Sequence, residues 1–502
     1  MPSKIFMGDM PELMENILDN LCNEISSLFS CALVSRHWCK MSIPIIWKNP
    51  FSFDNNSIII SQYFSSLDEN ERLVLKEYGI NVKVTNTLFN YARFLKVLNS
   101  LSLEKKVKIW INFQPAGSKQ STLLIDHIIN LLFKLFVENG ATLHKLVLYS
   151  DYEINPEIFY SLGRNELFFS RLQDLSLSLS DLNNFNNENA AILLKILAKN
   201  ATKISALKID NFYSDYYEPQ LLYAVICIIK SQEQLRVFNL DGGDPFPKEF
   251  HGIISALECQ NNSLKEVTIK LCECSSEFKV LMNCKNLEIL RIKNCTNMNI
   301  LEASLNTLEI TGYMIDASNI VQILKKSATL LQRLRLVSTD ESTRDVSLIL
   351  KTVKSFCPNI TYLNISDVEF SAQFIDIIGD LQKPQFLTLR DIFEILEDEP
   401  EILVMQFAKI LPLTLQYLDL RYSCLSLYIN CLLNNCYAPL KYLLIDYLDD
   451  EEKAKTLIAF CMRKRSLNYV GVEKCLNLDD NIKKEVKEYF TLISCEYIVV
   501  YC

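Results

Sequence analysis

Groups able to carry catalysis are few and far apart. The four histidines, His37, His127, His144 and His251, are scattered over 502 residues, so a histidine base or metal site would need distant segments to converge. Eleven glycines form no phosphate-cradling loop; the nearest cluster, Asp241-Gly242-Gly243-Asp244, has the make-up of a turn. Seventeen cysteines include no Cys-x-x-Cys pair. Cys272-x-Cys274 has the wrong spacing for a zinc knuckle, and on a strand the two would be a core thiol and its surface neighbour. A nucleophilic thiolate needs an activating environment that no stretch of the chain displays. No catalytic, metal or cofactor site is therefore expected. What remains is recognition chemistry. Tyr362, Phe386, Tyr417, Tyr442 and Tyr469, with Arg333, Arg335, Arg390 and Arg421 near them, offer rings for stacking and guanidinium groups for anions.

The elements that position these residues come from a repeat. An apolar-x-x-apolar-x-apolar pattern runs about thirteen times, from Leu143/Leu146/Leu148 to Leu467/Val470/Val472. Leu387/Leu389 is a degenerate copy with Pro384 in the first slot, where weakened strand pairing is expected. Copies lie on the order of 27 residues apart, which resembles leucine-rich repeats. Helical segments alternate with them, clearest at 191–197, 221–229, 320–324, 346–353, 402–410 and 482–489. A strand–helix unit cannot bury its apolar face alone, whereas stacked neighbours share one core. The resemblance implies an α/β leucine-rich-repeat solenoid, with a parallel β-sheet on the concave face and helices on the convex face. The short interval from Leu287 to Leu305 leaves no room for a full helix, and a tight turn is expected there. Cys272, Cys295 and Cys475 fall on the ninth slot, where cysteine-containing members of the family bury a thiol.

Side-chain alternation then assigns a concave set. The third slot reads Lys145, Asp174, Ala206, Val237, Glu266, Ile289, Thr307, Arg333, Tyr362, Phe386, Tyr417, Tyr442 and Tyr469, so its last five members are aromatic. Such a ladder could hold strand register by stacking or anchor a partner, and the two roles are compatible. Neighbouring slots carry Lys270, Arg291, Lys293, Arg335, Arg390 and Arg421. That basic run suits an acidic or phosphorylated partner; equally, Glu266, Glu309 and Asp419 could balance it as a solvated strand face.

Before the repeats stand some forty residues of different pattern. Pro11 suits a first helical position, and Leu13, Ile17 and Leu21 recur on one stripe. Ile25, Leu28 and Ala32 mark a second helix. Val34, Trp38 and Met41 mark a third that Pro44 should stop. Helices this short cannot bury enough surface alone, so a partner surface is expected. Met10-Pro11-Glu12-Leu13, Ile17, Leu21, Leu28, Val34-Ser35-Arg36-His37-Trp38 and Trp47-Lys48 resemble an F-box, with Met10 where that family usually has Leu. The resemblance implies that Pro11, Leu13, Ile17, Leu21, Leu28, Val34, Trp38 and Trp47 are contact or scaffold positions for the adaptor of a cullin-type (SCF) ubiquitin ligase. The repeats would then bind a protein substrate, the chain itself catalysing nothing. The alternative is a scaffold or inhibitor that binds without ubiquitination.

The expected organisation is a tail over 1–9, the F-box over 10–48, a helical connector and cap over 49–120, and the solenoid over 121–502. Within the connector, 87–98 reads as a helix carrying Leu88, Tyr91, Leu95 and Leu98. Val107, Ile109, Ile111 and Phe113 alternate as a strand would. An apolar content of 49% argues for a packed chain, and a net charge of −9 argues against nucleic-acid or anionic-membrane binding. The longest apolar run, 123–137, is too short and too polar to span a bilayer. With no signal-peptide pattern, a cytoplasmic or nuclear location with reduced thiols is expected.

Overall fold

The computed structural model describes residues 11–22, 24–52, 58–82, 87–114, 122–149, 158, 161–162, 165–179, 187–213, 219–298, 304–312, 317–338, 346–392, 395, 399–475, 480–498 and 500. The expected 1–9 tail and Met10 lie outside them. The chain divides into two compact units, Met1–Ser263 and Leu264–Cys502, with the boundary inside the repeat array.

In the first unit, β1 (Val97–Asn99), β2 (Lys145–Leu148), β3 (Asp174–Ser178), β4 (Ala206–Phe212) and β5 (Val237–Gly242) pair in parallel and in sequence order. The second unit holds β6 (Glu266–Lys270), β7 (Ile289–Lys293), β8 (Thr307–Gly312), β9 (Arg333–Ser338) and β10 (Tyr362–Ser366). It continues through β11 (Phe386–Arg390), β12 (Tyr417–Asp419), β13 (Tyr442–Leu448), β14 (Tyr469–Cys475) and β15 (Thr491–Ser494), again parallel and in order. Helices or 3₁₀ turns return the chain between strands, and the fold is an α/β leucine-rich-repeat solenoid. The first two apolar slots of the strands, such as Leu334 with Leu331 and Leu363 with Ile360, are buried, so each copy adds apolar surface to its unit's core. Several strands end on a left-handed residue. Asn294, Asp367 and Asp391 have φ of 52°, 56° and 56°, a conformation that short polar side chains tolerate and that turns the chain off the sheet.

All thirteen expected strands are present, and two more flank them. β1 lies within the stretch read as connector, so the sheet begins before residue 121. It also corrects the expected helix over 87–98, where only a 3₁₀ turn (Tyr91–Phe94) precedes the strand and Leu88 is exposed. The expected strand at 107–113 is instead part of a helix, Ser100–Asn112, capped by the Asn99 side chain accepting from Ser102 N–H. That helix buries Leu103, Val107, Trp110 and Ile111, a spacing of 3.6 rather than 2, while Phe113 faces solvent. Pro384 does not weaken pairing. It precedes β11 by two residues, Gln385 N–H reaches Thr361 O at 2.8 Å, and β11 pairs along five residues with β10. In the short interval between β7 and β8 no α-helix occurs among the described residues, and Met298 is 3₁₀; residues 299–303 lie outside them.

The N-terminal helices are α1 (Pro11–Asp19), α2 (Ile25–Ala32) and α3 (Arg36–Ile46). Ser35 caps α3 by accepting from Trp38 N–H. Pro44 does not stop α3, which runs two residues beyond it. The chain continues through α4 (Ile58–Phe64), α5 (Glu69–Glu77, with an Asp68–Glu71 capping box and Gly79 at φ 80° past its end), α6 (Ser100–Asn112) and α7 (Thr122–Glu138). Aromatic packing joins these elements. Tyr63 lies edge-on to Phe136 at 5.0 Å, Phe64 edge-on to Trp110 at 5.3 Å, and the indole Nε1 of Trp110 donates to Ser61 Oγ at 2.8 Å. The carbonyl of Lys48 accepts from both Lys96 N–H and Val97 N–H, at 2.9 and 3.0 Å. The same pattern recurs down the unit: Lys96 O takes His144 and Lys145, His144 O takes Gln173 and Asp174, and Gln173 O takes Ser205 and Ala206. The end of α3 thus fills the hydrogen-bonding place of a strand before β1. Among the described residues no helix is long and apolar enough to cross a membrane.

Candidate partner-binding surfaces

The eight residues singled out on α1–α3 divide into two sets. Leu28 and Trp47 are buried; the indole stacks on Tyr91 at 4.1 Å and meets Tyr63 edge-on at 5.1 Å, so both hold the local core. Leu21 and Trp38 are half-buried, and Pro11 occupies the first position of α1. Leu13 (41%), Ile17 (44%) and Val34 (64%) remain exposed, because Met14 and Leu18 fill the inner side of α1. Leu33, 87% exposed, and Phe29 add to this apolar surface. Those two escaped the sequence reading, although Phe29 next to buried Leu28 signals a helix with apolar residues on two sides.

On the second unit's open face, the third slot pairs as its alignment implied, from Glu266–Ile289–Thr307–Arg333 through Tyr362, Phe386, Tyr417 and Tyr442 to Tyr469 and Thr491. The rings follow one another at centroid distances of 6.2, 5.8, 6.3 and 5.4 Å, ending in a stacked Tyr442–Tyr469 pair 8° from parallel. The Arg333 guanidinium covers Tyr362 at 4.6 Å and extends the ladder by one strand. Tyr362 and Tyr417 are buried, whereas Tyr469 is exposed.

The basic residues nearby are organised around two buried carboxylates. Glu309 on β8, its side chain 4% exposed, receives Arg291 Nε at 3.1 Å, Lys293 Nζ at 3.0 Å and Arg335 Nη1 at 3.3 Å. Arg291 also pairs with Glu266. Asp419 on β12, 1% exposed, receives Arg390 Nη2 at 2.7 Å and Arg421 Nη2 at 2.9 Å. Burial pushes the Asp419 carboxyl up, but the Arg421 hydrogen bond and the Arg390 charge outweigh it and hold it below the usual carboxylate range. Burial, reinforced by Asp419, pushes the Tyr417 phenol up, so it stays protonated. The balancing expected of Glu266, Glu309 and Asp419 is therefore realised, but with the carboxylates beneath and the cations above.

The sequence did not reveal what covers the end of this face. After β15 the chain turns over it, so that Cys495 and Ile498 join Tyr417 and Leu444 in a buried cluster, with Ile493 and Val500 packed alongside. Gly471 makes this possible. A Cβ there would meet Leu444 Cγ at 3.0 Å, Ile498 Cδ1 at 3.1 Å and Cys495 Sγ at 3.3 Å. A glycine inside a strand pattern is the signal that could have found it. Burial pushes the Cys495 thiol up to about 11, which marks it as a packing group. Between this segment and the ladder remains a cavity of about 510 Å³ reached by Phe386, Tyr417, Tyr442, Tyr469 and Tyr497.

Cys272 and Cys295 are buried as their slot implies, and the described backbone ends β14 at Cys475. Cys274 is not a surface neighbour: it is buried too, its thiol pushed up by a hydrogen bond with Cys295 and by burial. The Glu273–Thr296 bridge keeps this stretch extended, and side chains two apart on an extended chain point to the same face, so both thiols turn inward. Among the described residues no group of histidine, cysteine and carboxylate side chains could hold a metal ion.

No protein-family model matches the chain, and no curated protein matches it in sequence. Its architecture is similar to that of several solved structures. A chain of the yeast Rad7–Elc1 complex is 13% identical, with 79% of this chain and 94% of that one covered and a TM-score of 0.34. The leucine-rich repeat-containing protein LegL7 of Legionella pneumophila is 14% identical over 55% of this chain and 88% of its own, at 0.33. A chain of the TLR13–ssRNA13 complex is 13% identical over 71% and 55%, at 0.39. At such scores the likeness says nothing of function, and the fold rests on the strand register.

Proposed function

We propose that the chain is a substrate-recognition subunit of an SCF-type ubiquitin ligase, carrying no chemistry of its own. In this reading α1–α3 form an F-box that docks the ligase adaptor, and through it a cullin, while the repeats bind the protein to be modified. Such a receptor works by raising the local concentration of substrate beside the enzyme that carries ubiquitin. The observation that carries the reading is the exposure of four apolar side chains, Leu13 and Ile17 on α1 and Leu33 and Val34 just after α2, although Met14, Leu18 and Leu28 already fill the inner side of these helices. Several exposed apolar side chains on a module this small suit a permanent partner better than solvent.

The test is co-expression of the full chain with a cullin-ligase adaptor. Leu13→Asp with Ile17→Asp should cut co-purified adaptor by about tenfold or more, since burying two carboxylates at an interface is costly. Because both positions are exposed, unfolding stability should stay within about 0.5 kcal/mol. Undiminished adaptor capture by the variant would sink the assignment.

A further inference from the structure

The open face of the second unit has two halves with different chemistry. On β6–β9 the positions facing away from the core include five cations, Lys270, Arg291, Lys293, Arg333 and Arg335, against two carboxylates, Glu266 and Glu309. Glu309 is buried beneath three of those cations, which remain part-exposed above it. A carboxylate placed this way fixes the geometry of the cations without cancelling the charge they present outward. That spares an incoming anion the cost of ordering long side chains. On β10–β14 the same face carries the ring ladder, its cations Arg390 and Arg421 paired to Asp419, and it ends in the cavity beside Tyr469 and the returning residues Ile493, Tyr497 and Ile498. Arg333 over Tyr362 is the junction between the halves.

We propose that this face binds one extended peptide segment of a protein partner, lying across the strands. Its acidic end, carboxylate or phosphate, would lie on β7–β9, and an aromatic or large aliphatic side chain would fill the cavity at β13–β14. This rests on the reading that the repeats bind a protein, and it adds the chemistry of the segment bound. An acidic segment is favoured because charge complementarity fits it alone. A basic or neutral peptide would leave the cations of β6–β9 facing a partner with nothing to offer them. Seven strand spacings of about 4.8 Å separate β7 from β14, so the site spans about 34 Å, roughly ten extended residues.

The probe is a fluorescein-labelled twelve-residue peptide with four glutamates at one end and a tryptophan near the other, titrated with the full chain by fluorescence anisotropy. Two controls carry lysines in place of the glutamates or alanine in place of the tryptophan. The acidic probe should bind about tenfold or more tighter than the lysine version, and raising NaCl should weaken it. Lys293→Gln with Arg333→Gln, which leaves Glu309 paired to Arg291 and Arg335, should cost about tenfold for the acidic probe. Tyr469→Ala should cost a similar factor, and that loss should vanish with the alanine probe. Equal binding of acidic and lysine peptides, absence of binding, or insensitivity to both substitutions overturns the proposal. So does a chain that dimerises through this face and thereby excludes the probe. The lysine control needs no variant, so a misfolded mutant cannot decide the outcome. Adaptor capture through Leu13 and Ile17 is read separately, so failure here leaves that assignment standing.

Discussion

The outer surface of α1–α3 and the open face of β6–β14 are both candidate interfaces, built on opposite principles. The first consists of apolar side chains set on helices whose polar groups are satisfied locally, as with Ser35 capping α3. The second consists of charged and aromatic side chains that satisfy one another, cations over Glu309 and Asp419 and rings in a stack. A surface of the first kind gains affinity by leaving water, indifferent to salt and tolerant of sequence. One of the second kind is ordered beforehand and discriminates by charge. A chain with one lasting partner and one selected partner would place them on these two surfaces respectively.

The largest effect that separates them is on stability. Removing the buried carboxylate with Glu309→Ala takes the ion-pair partner from Lys293 and Arg335, while Arg291 keeps Glu266, and should cost about 2–3 kcal/mol in urea unfolding, whereas Leu33→Ser should stay within about 0.5 kcal/mol. Equal losses would break the comparison. Acid should act next. Asp419, held below its ordinary pKa, contributes stability that is fully present above about pH 4 and is lost as pH falls through its folded value. Thermal melts should therefore show a steeper acid decline for the native chain than for Asp419→Asn. Parallel decline would mean that Arg390 and Arg421 do not discriminate the charged form. The smallest effect is that of salt on adaptor capture, which between 0.1 and 0.5 M NaCl should change by less than about twofold if the surface is as apolar as it looks. A strong salt dependence there would place unrecognised charges in the first interface.

Most of the repeat array was legible in the sequence because its strands obey one spacing, and even the pairing of Tyr362 with Phe386 or Tyr442 with Tyr469 follows from aligning slots. The two end strands were not legible, for a shared reason. In each the third apolar slot holds serine, Ser100 after β1 and Ser494 in β15. Ser100 is buried but satisfied, its hydroxyl donating to Tyr149 O at 2.9 Å and accepting from Tyr149 N–H at 2.8 Å. Residues 107–113 misled because alternate apolar residues on a helix also carry Leu103 and Trp110, and a short window hides the longer period. On α1 the stripe of Leu13 and Ile17 was visible, but not that Met14 and Leu18 would take the inside, since both faces are apolar. Least legible was the return of the chain over the ladder, a contact between residues far apart in sequence, with only Gly471 to hint at it.

The carbonyl of Lys48 that accepts Lys96 N–H and Val97 N–H has a mechanical consequence. Besides the covalent path through residues 49–95, α1–α3 are fastened to β1 by two backbone hydrogen bonds and by the Trp47–Tyr91 stack. A pull on these helices is therefore delivered to the edge of the first unit's sheet, and from there passes strand by strand down to β5. The helices are thus fastened to the first strand rather than hung from it as a bead on a tether, and their angle to the first unit's sheet is set by a hydrogen-bond register.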